Sequence, residues 1–355
     1  MRVGILTSGG DCQALNATMR GLALTLYRNV KDVEIIGFID GYKGLMYEKY
    51  KKMKPKDFYD ILNVGGSILG NSRCPFKRMR IIENGFDKVK AMKNTYKKLE
   101  LDCLVVLGGN GSIKSANMLS QEGLNVIALP KTIDNDAWGT DYTFGYSSAT
   151  AIATRYLDEI KTTAASHSRV FVIEVMGHKV GHICLSAGIA AGADVILLPE
   201  IPYDIKVVAK KVKETLKNEK NYAIIACAEG AISEADALTK RKDYKAKVLA
   251  RNGRSVAYEV ADELSQEIDA EIRVSCIGHA QRGGNPNSYD REISTRFGVE
   301  GARLIIKKHY GEYVVLQGNH VTHIPLEATA GKLKYVDTEG EIVQSAKLVG
   351  ISFGE

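Results

Sequence analysis

Short β-branched runs separated by long amphipathic stretches limit how this chain can fold more than any other feature. Residues 2–6, 33–38, 104–107 and 126–129 each read as a strand, and they are spaced too widely to pair as hairpins. Strands so separated are joined by crossovers, and crossovers join parallel strands. A second set follows at 170–175, 195–198, 222–227 and 273–277, with helical segments at 205–217 and 255–268 between its members. The pattern predicts an α/β chain with mainly parallel sheets in two lobes, and 355 residues suit two domains better than one core.

Composition narrows the function. With 45% apolar and 25% charged residues the chain is an ordinary packed protein, neither fibrous nor disordered. Met1 leads directly into Val3-Gly4-Ile5-Leu6, and no long apolar segment follows, so a cytoplasmic protein without a membrane partner is expected. The six cysteines stand singly, without the paired spacing of a zinc site, and read as reduced thiols. A net charge of +6 spread along the chain suits a pocket for an anionic substrate better than a nucleic-acid surface.

Glycines punctuate the ends of the predicted strands, where open parallel sheets bind ligands. Leu6-Thr7-Ser8-Gly9-Gly10-Asp11 runs from a strand into a helix beginning near Leu15. Its backbone N–H groups can face a phosphate, although the same string serves equally as a plain tight turn. Leu107-Gly108-Gly109-Asn110-Gly111-Ser112 repeats the arrangement, and neither loop matches the Walker or dinucleotide fingerprint. Two such loops in one lobe suit a chain of phosphates. The third string, Lys131-Thr132-Ile133-Asp134-Asn135-Asp136, follows a strand directly. One carboxylate there can take a proton from a hydroxyl while another organises a hard cation, though the string alone is also an acid-rich turn with a cap.

Taken together, these strings resemble the ATP- and pyrophosphate-dependent phosphofructokinase family. Val175-Met176-Gly177-His178, Glu229-Gly230 and Gly278-His279-Ala280-Gln281-Arg282-Gly283-Gly284 follow in the family's order, and the resemblance runs from Gly4 to Asp337. It implies the phosphofructokinase fold of two Rossmann-like three-layer lobes. Residues 1–145 with about 281–325 would form the phosphoryl-donor lobe, and 146–280 with about 326–355 the sugar-phosphate lobe.

The implied reaction moves a phosphoryl group from MgATP to the 1-hydroxyl of fructose 6-phosphate, a step of glycolysis. Asp134 becomes the general base, with Thr132, Lys131 and Arg73 as further catalytic residues. The donor site falls to Gly10, Tyr42, Arg73, Arg78, Asn110, Gly111 and Ser112, and Mg²⁺ to Asn110 and Asp136. Thr132, Asp134, Met176, Gly177, His178, Glu229, His279 and Arg282 would bind the sugar phosphate. Arg169 and Arg273 would reach its 6-phosphate from a neighbouring subunit of a homo-oligomer, a tetramer or a dimer.

The resemblance leaves the donor open. Gly111 gives room for the α-phosphate of ATP where pyrophosphate users typically carry aspartate, whereas Lys131 stands where common bacterial ATP enzymes have glycine. Asn110 replaces an aspartate and His178 an arginine of the usual pattern, and Gln13-Ala14 replaces Pro-Gly. Leu24 occupies the second of two arginine positions that serve an effector phosphate, Arg20 keeping the first, so nucleotide control is expected to be reduced. Transfer from pyrophosphate is the alternative donor chemistry. A regulatory paralogue binding sugar phosphate or nucleotide is the alternative outside catalysis. A lipid or NAD kinase explains the glycine loops but not Arg169, Glu229 or residues 278–284.

Overall fold

The computed structural model describes residues 1–218, 220–329 and 331–355. Its strands are β1 (Arg2–Ser8), β2 (Glu34–Phe38), β3 (Tyr50–Met53), β4 (Cys103–Gly108), β5 (Val126–Pro130), β6 (Val170–Val175), β7 (Val195–Leu197), β8 (Ala223–Ala228), β9 (Ile272–Cys276), β10 (Glu312–Gln317) and β11 (His320–Pro325). They form a seven-stranded sheet in the order β11-β10-β5-β4-β1-β2-β3 and a four-stranded sheet in the order β7-β8-β6-β9. The α/β architecture with mainly parallel sheets is as the spacing predicts. Only β3 and β11, the two edges of the larger sheet, pair antiparallel.

The chain divides into two compact units, Met1–Ser148 with Arg282–Lys334 and Ala149–Gln281 with Tyr335–Glu355. The final crossing comes after Lys334 rather than near 325. Residues 326–334 stay with the first unit because Leu326 N donates to Gly311 O at 2.8 Å, Lys334 N donates to Asp136 O at 2.9 Å, and Leu333 bridges Ala137.

Each strand anticipated from the sequence is present, while β3, β10 and β11 were not anticipated. β3 is Tyr-Lys-Lys-Met, a lysine-rich edge with little apolar signal, and such charge protects an edge from further pairing. β10 and β11 form a hairpin closed at Gln317 and His320, so Gly318-Asn319 between two β-rich runs was the signal that could have shown it. β4 and β5 read as unbroken apolar runs because every residue of both is buried, as befits central parallel strands covered on both faces. The smaller sheet has its own core, in which Val170, Val172, Ile225 and Val195 pack with Val208, Val212, Val260 and Leu264.

In both sheets the strand order reverses beside the first strand of the set. β1 has β2 on one side and β4 on the other, and β6 lies between β8 and β9. At such a reversal the connections leave in opposite directions and open a crevice at the carboxyl ends of the strands. All six cysteines are free. Among the described residues no helix is long and apolar enough to cross a membrane.

The helices Leu15–Asn29 and Ser288–Ile306 approach almost backbone to backbone. A Cβ on Gly21 would lie 2.7 Å from Thr295 O, and one on Gly298 would meet Thr18 O and lie 2.6 Å from Leu22 N. Both obstructing groups are main chain and cannot rotate aside. Gly298→Ala is therefore expected to lower unfolding free energy by about 2–3 kcal/mol, an overpacking cost read as an earlier urea midpoint at unchanged slope.

Candidate active site

The first unit gathers three loops at the carboxyl ends of β1, β4 and β5. β1 turns at Gly9, whose φ of +97° favours glycine, and Gly9 N donates to Ser72 O at 3.1 Å. The Asp11 carboxylate fixes the next residues, accepting from Cys12 N at 2.9 Å and Asn71 Nδ2 at 3.1 Å. Gln13 Nε2 donates to Gly283 O at 3.0 Å, so the departure from Pro-Gly at 13–14 ties this loop to the Gly283-Gly284 pair.

After β4, Gly109 precedes the helix Asn110–Gln121 and accepts from Ser112 N at 2.9 Å. Gly108 has no room for a side chain, since Ser112 occupies that space, whereas a Cβ on Gly111 would meet nothing within 4 Å. Tyr42 does not line this loop's surface. It is fully buried, and its hydroxyl donates to Ser112 O at 2.8 Å, holding the loop from beneath.

The third loop supplies the charges. Lys131 is only 2% exposed, yet its Nζ donates to Gly10 O and would lie 3.3 Å from a Cβ on Gly9. Burial holds its ammonium below the ordinary lysine range, opposed by Cys12, Asp134 and Asp11 and reinforced by Arg282. Asp134 N donates to Thr132 Oγ1 at 3.1 Å, and Asp134 Oδ1 is buried and accepts no hydrogen bond from the protein. Asn135 adopts a left-handed φ of +53°, with its Oδ1 accepting from Thr143 N at 3.1 Å. Asp136 is buried, and Asn110 Nδ2 donates to its Oδ2 at 2.7 Å.

Arg73 and Arg78 border a cavity of about 210 Å³ whose walls also include Met46, Tyr47, Pro75 and Met79. Arg78 is held by Glu83, at 2.8 Å through Nη2. Arg282, expected among the sugar ligands, lies against the first glycine loop, its Nη1 donating to Asp11 O at 3.0 Å.

The second unit gathers the remaining expected residues at the carboxyl ends of β6, β8 and β9. Met176, Gly177 and His178 follow β6, Glu229 follows β8, and His279 lies in the short turn Gly278–Arg282 after β9. A side chain on Gly177 would meet Val180 O, and His178 takes a left-handed φ of +56°. This turn aims His178 N at Glu229 Oε1, 2.5 Å away. Arg169 and Arg273 share one carboxylate, Glu271, with Arg169 Nε at 2.7 Å, and these arginines hold that carboxyl below the usual range. Arg20 Nε donates to Tyr59 O at 3.2 Å, while Leu24 is packed.

Three contributors escaped the sequence. Asp11 was part of a quoted string, but its role depends on Asn71, far along the chain. Buried Asp290 anchors the start of the helix after the third loop, accepting from Gly145 N at 3.0 Å and Ser148 N at 2.8 Å. Lys334 Nζ donates to the carbonyls of Thr140 and Asp141, both at 2.9 Å.

Comparisons with known proteins agree in one direction. The family model described as Phosphofructokinase matches residues 2–305. A Spirochaeta thermophila protein named ATP-dependent 6-phosphofructokinase is 46% identical, covering 99% of this chain and 97% of that protein. One from Bacteroides thetaiotaomicron, named ATP-dependent 6-phosphofructokinase 3, is 42% identical over the full length of both. The phosphofructokinase structure from Saccharomyces cerevisiae superposes with a TM-score of 0.81 at 28% identity, over 93% of this chain and 45% of that longer one. A pyrophosphate-dependent phosphofructokinase from Nitrosospira multiformis has the same TM-score at 20% identity, over 96% of this chain and 87% of that one, which shows the shared fold.

Among the described residues no three His, Cys, Asp or Glu side chains form a ready metal cluster. The contact of 2.7 Å between Asn110 and Asp136 therefore has a measurable consequence. Asn110→Asp replaces a donor by a second carboxylate, so one carboxyl of the pair is raised above its unfolded value. The stability cost is absent below the unfolded pKa and grows as pH rises through the raised one, reaching about 1–3 kcal/mol at neutral pH. Thermal melts across this pH range should show the loss.

Proposed function

Because the chain belongs to the phosphofructokinase family, we propose that it is a cytoplasmic 6-phosphofructokinase transferring the γ-phosphoryl group of MgATP to the 1-hydroxyl of fructose 6-phosphate. The observation that carries this reading is the Asp134 carboxylate. Its Oδ1 is buried without a protein donor, on the loop whose Lys131 grips the first glycine loop. A buried carboxylate oxygen without a donor is costly unless a ligand supplies one, and a sugar hydroxyl does so. Asp134 takes the hydroxyl proton as the sugar oxygen bonds to the γ-phosphorus and the bond to ADP breaks. Thr132 Oγ1, accepting from Asp134 N, orients the loop.

Three features support ATP as the donor. The relatives quoted above are named ATP-dependent. The space at Gly111 is open. The cavity beside Arg73 and Arg78 has apolar walls at Met46, Tyr47 and Met79 that suit a nucleoside, a part that pyrophosphate lacks. Lys131 Nζ donates to Gly10 O and reads as an anchor of the first glycine loop, a role that serves either donor.

Mg²⁺ fits the residues present. Asp136 and the Asn110 side-chain oxygen would hold it once the Asn110 amide turns from its Nδ2 contact with Asp136 Oδ2, and one carboxylate with one amide suits a cation that takes its other ligands from phosphate and water. Bound there, it supplies neutralisation of the triphosphate. Met176, Gly177, Glu229 and His279 would hold the sugar. Arg169 and Arg273 would reach the 6-phosphate of a neighbouring subunit in a homo-oligomer, exchanging Glu271 for phosphate.

The direct test offers fructose 6-phosphate with ATP and with pyrophosphate in parallel. Asp134→Asn should lower kcat by about 10³ with KM nearly unchanged, the range expected for a lost general base; near-normal turnover would sink the mechanism. A Cβ at Gly111 would meet nothing within 4 Å, so Gly111→Asp should not lower Tm. The new charge beside the donor phosphates should nonetheless lower kcat/KM for ATP by about 100-fold, roughly 2.7 kcal/mol.

A further inference from the structure

Residues 332–334 run across the turn that follows Asp136 and are bound to it at five points. Lys334 N donates to Asp136 O at 2.9 Å, and Leu333 bridges Ala137. Lys334 Nζ reaches the carbonyls of Thr140 and Asp141, each at 2.9 Å. The Lys332 ammonium stands 4.1 Å from the ring centroid of Trp138, the chain's one tryptophan. On its other side the turn is fastened to the hairpin, since Asp141 N donates to Leu316 O at 2.8 Å and Gly318 N to Asp141 Oδ2 at 2.6 Å. Tyr335, the next residue after the strap, begins the final segment of the second unit.

We infer that residues 332–334 are a strap and that Lys334 is a positioning residue for phosphoryl transfer. Spacing along the chain ties the two carboxylates to the strap. Asp136 lies one residue before the bridged Ala137, and Asp134 two before that, so their directions follow from how the turn is clamped. A loop carrying two carboxylates has no regular backbone ladder of its own, and a lysine with two carbonyl acceptors supplies what a strand would otherwise supply. Misplacing a reacting group by about 1 Å can cost about 100-fold in rate, so a residue that touches neither substrate nor metal can still control turnover. Lys334 acts in this way, through the main chain of the turn that bears the base. The inference depends on the phosphofructokinase reading for its kinetic part, whereas Trp138 reports the clamp independently of any reaction.

The test compares Lys334→Met, Lys334→Arg and Lys332→Gln with the wild-type protein. Lys334→Met keeps the main-chain donor to Asp136 and removes both side-chain bonds. Its kcat should fall about 10-fold or more with KM for both substrates within about twofold, and Trp138 emission should shift to the red. Lys334→Arg should restore most of the turnover and the emission. Lys332→Gln removes only the exposed cation above the ring, so it should fold even if Lys334→Met does not, with altered emission and a two- to fivefold lower kcat. Wild-type kcat in Lys334→Met, or in Lys332→Gln if the former is insoluble, overturns the proposal. Equal losses in Lys334→Met and Lys334→Arg with unmoved Trp138 emission overturn it too. A wild-type protein inactive on fructose 6-phosphate defeats the functional reading, and the strap then stands or falls on Trp138 emission alone.

Discussion

The reversal of strand order at β1 is the constraint on which the first unit depends. A parallel sheet that grows from β1 toward β2 and then resumes at β4 leaves the carboxyl ends of β1 and β4 uncovered by their own connections. Whatever binds there must be met by main chain, and both loops that arrive are glycine-rich for steric reasons. Gly9 turns with a positive φ, and Gly108 gives its side-chain space to Ser112. The third loop comes from β5, the neighbour of β4, so Lys131 N can donate to Gly108 O at 3.1 Å and its side chain can reach Gly10 O.

Burying Lys131 there is unfavourable by itself, which is why its ammonium is held below its ordinary range. The surrounding acids compensate only in part, and Arg282 adds a like charge. Two cations brought together at the first glycine loop, one of them buried, give this point of the sheet a positive potential. Arg282 shows the same economy. Its Nη1 spans to Asp11 O while its Nε is buried without an acceptor.

How much of this the sequence disclosed depended on sequence distance. Strands β1, β4 and β5 and the strings at their ends were legible because burial on both faces writes continuous apolar runs and the turns need glycine. Nothing local says that the hydroxyl of Tyr42 is turned inward to Ser112 of the second glycine loop. Gln13 looked like a loss of the family pattern until Gly283, at the far end of the chain, proved to be its partner. Lys334 and Asp290 carry no local signal at all, because a polar side chain that clamps a distant carbonyl or amide leaves no periodicity. The edge strand β3 was hidden for another reason, since a lysine-rich edge is built to look unlike a strand.

The second unit shows why a departure from a family's residues need not be a departure from its geometry. His178 lacks the permanent charge of arginine. Yet the group that fixes Glu229 is the backbone N–H of His178, and Glu229 N is separately tied to Val175 O at 2.9 Å. The position needs a left-handed φ, which histidine tolerates and a β-branched residue would resist. Exchange at 178 therefore alters the side-chain charge at this turn while leaving the carboxylate of Glu229 where the turn places it.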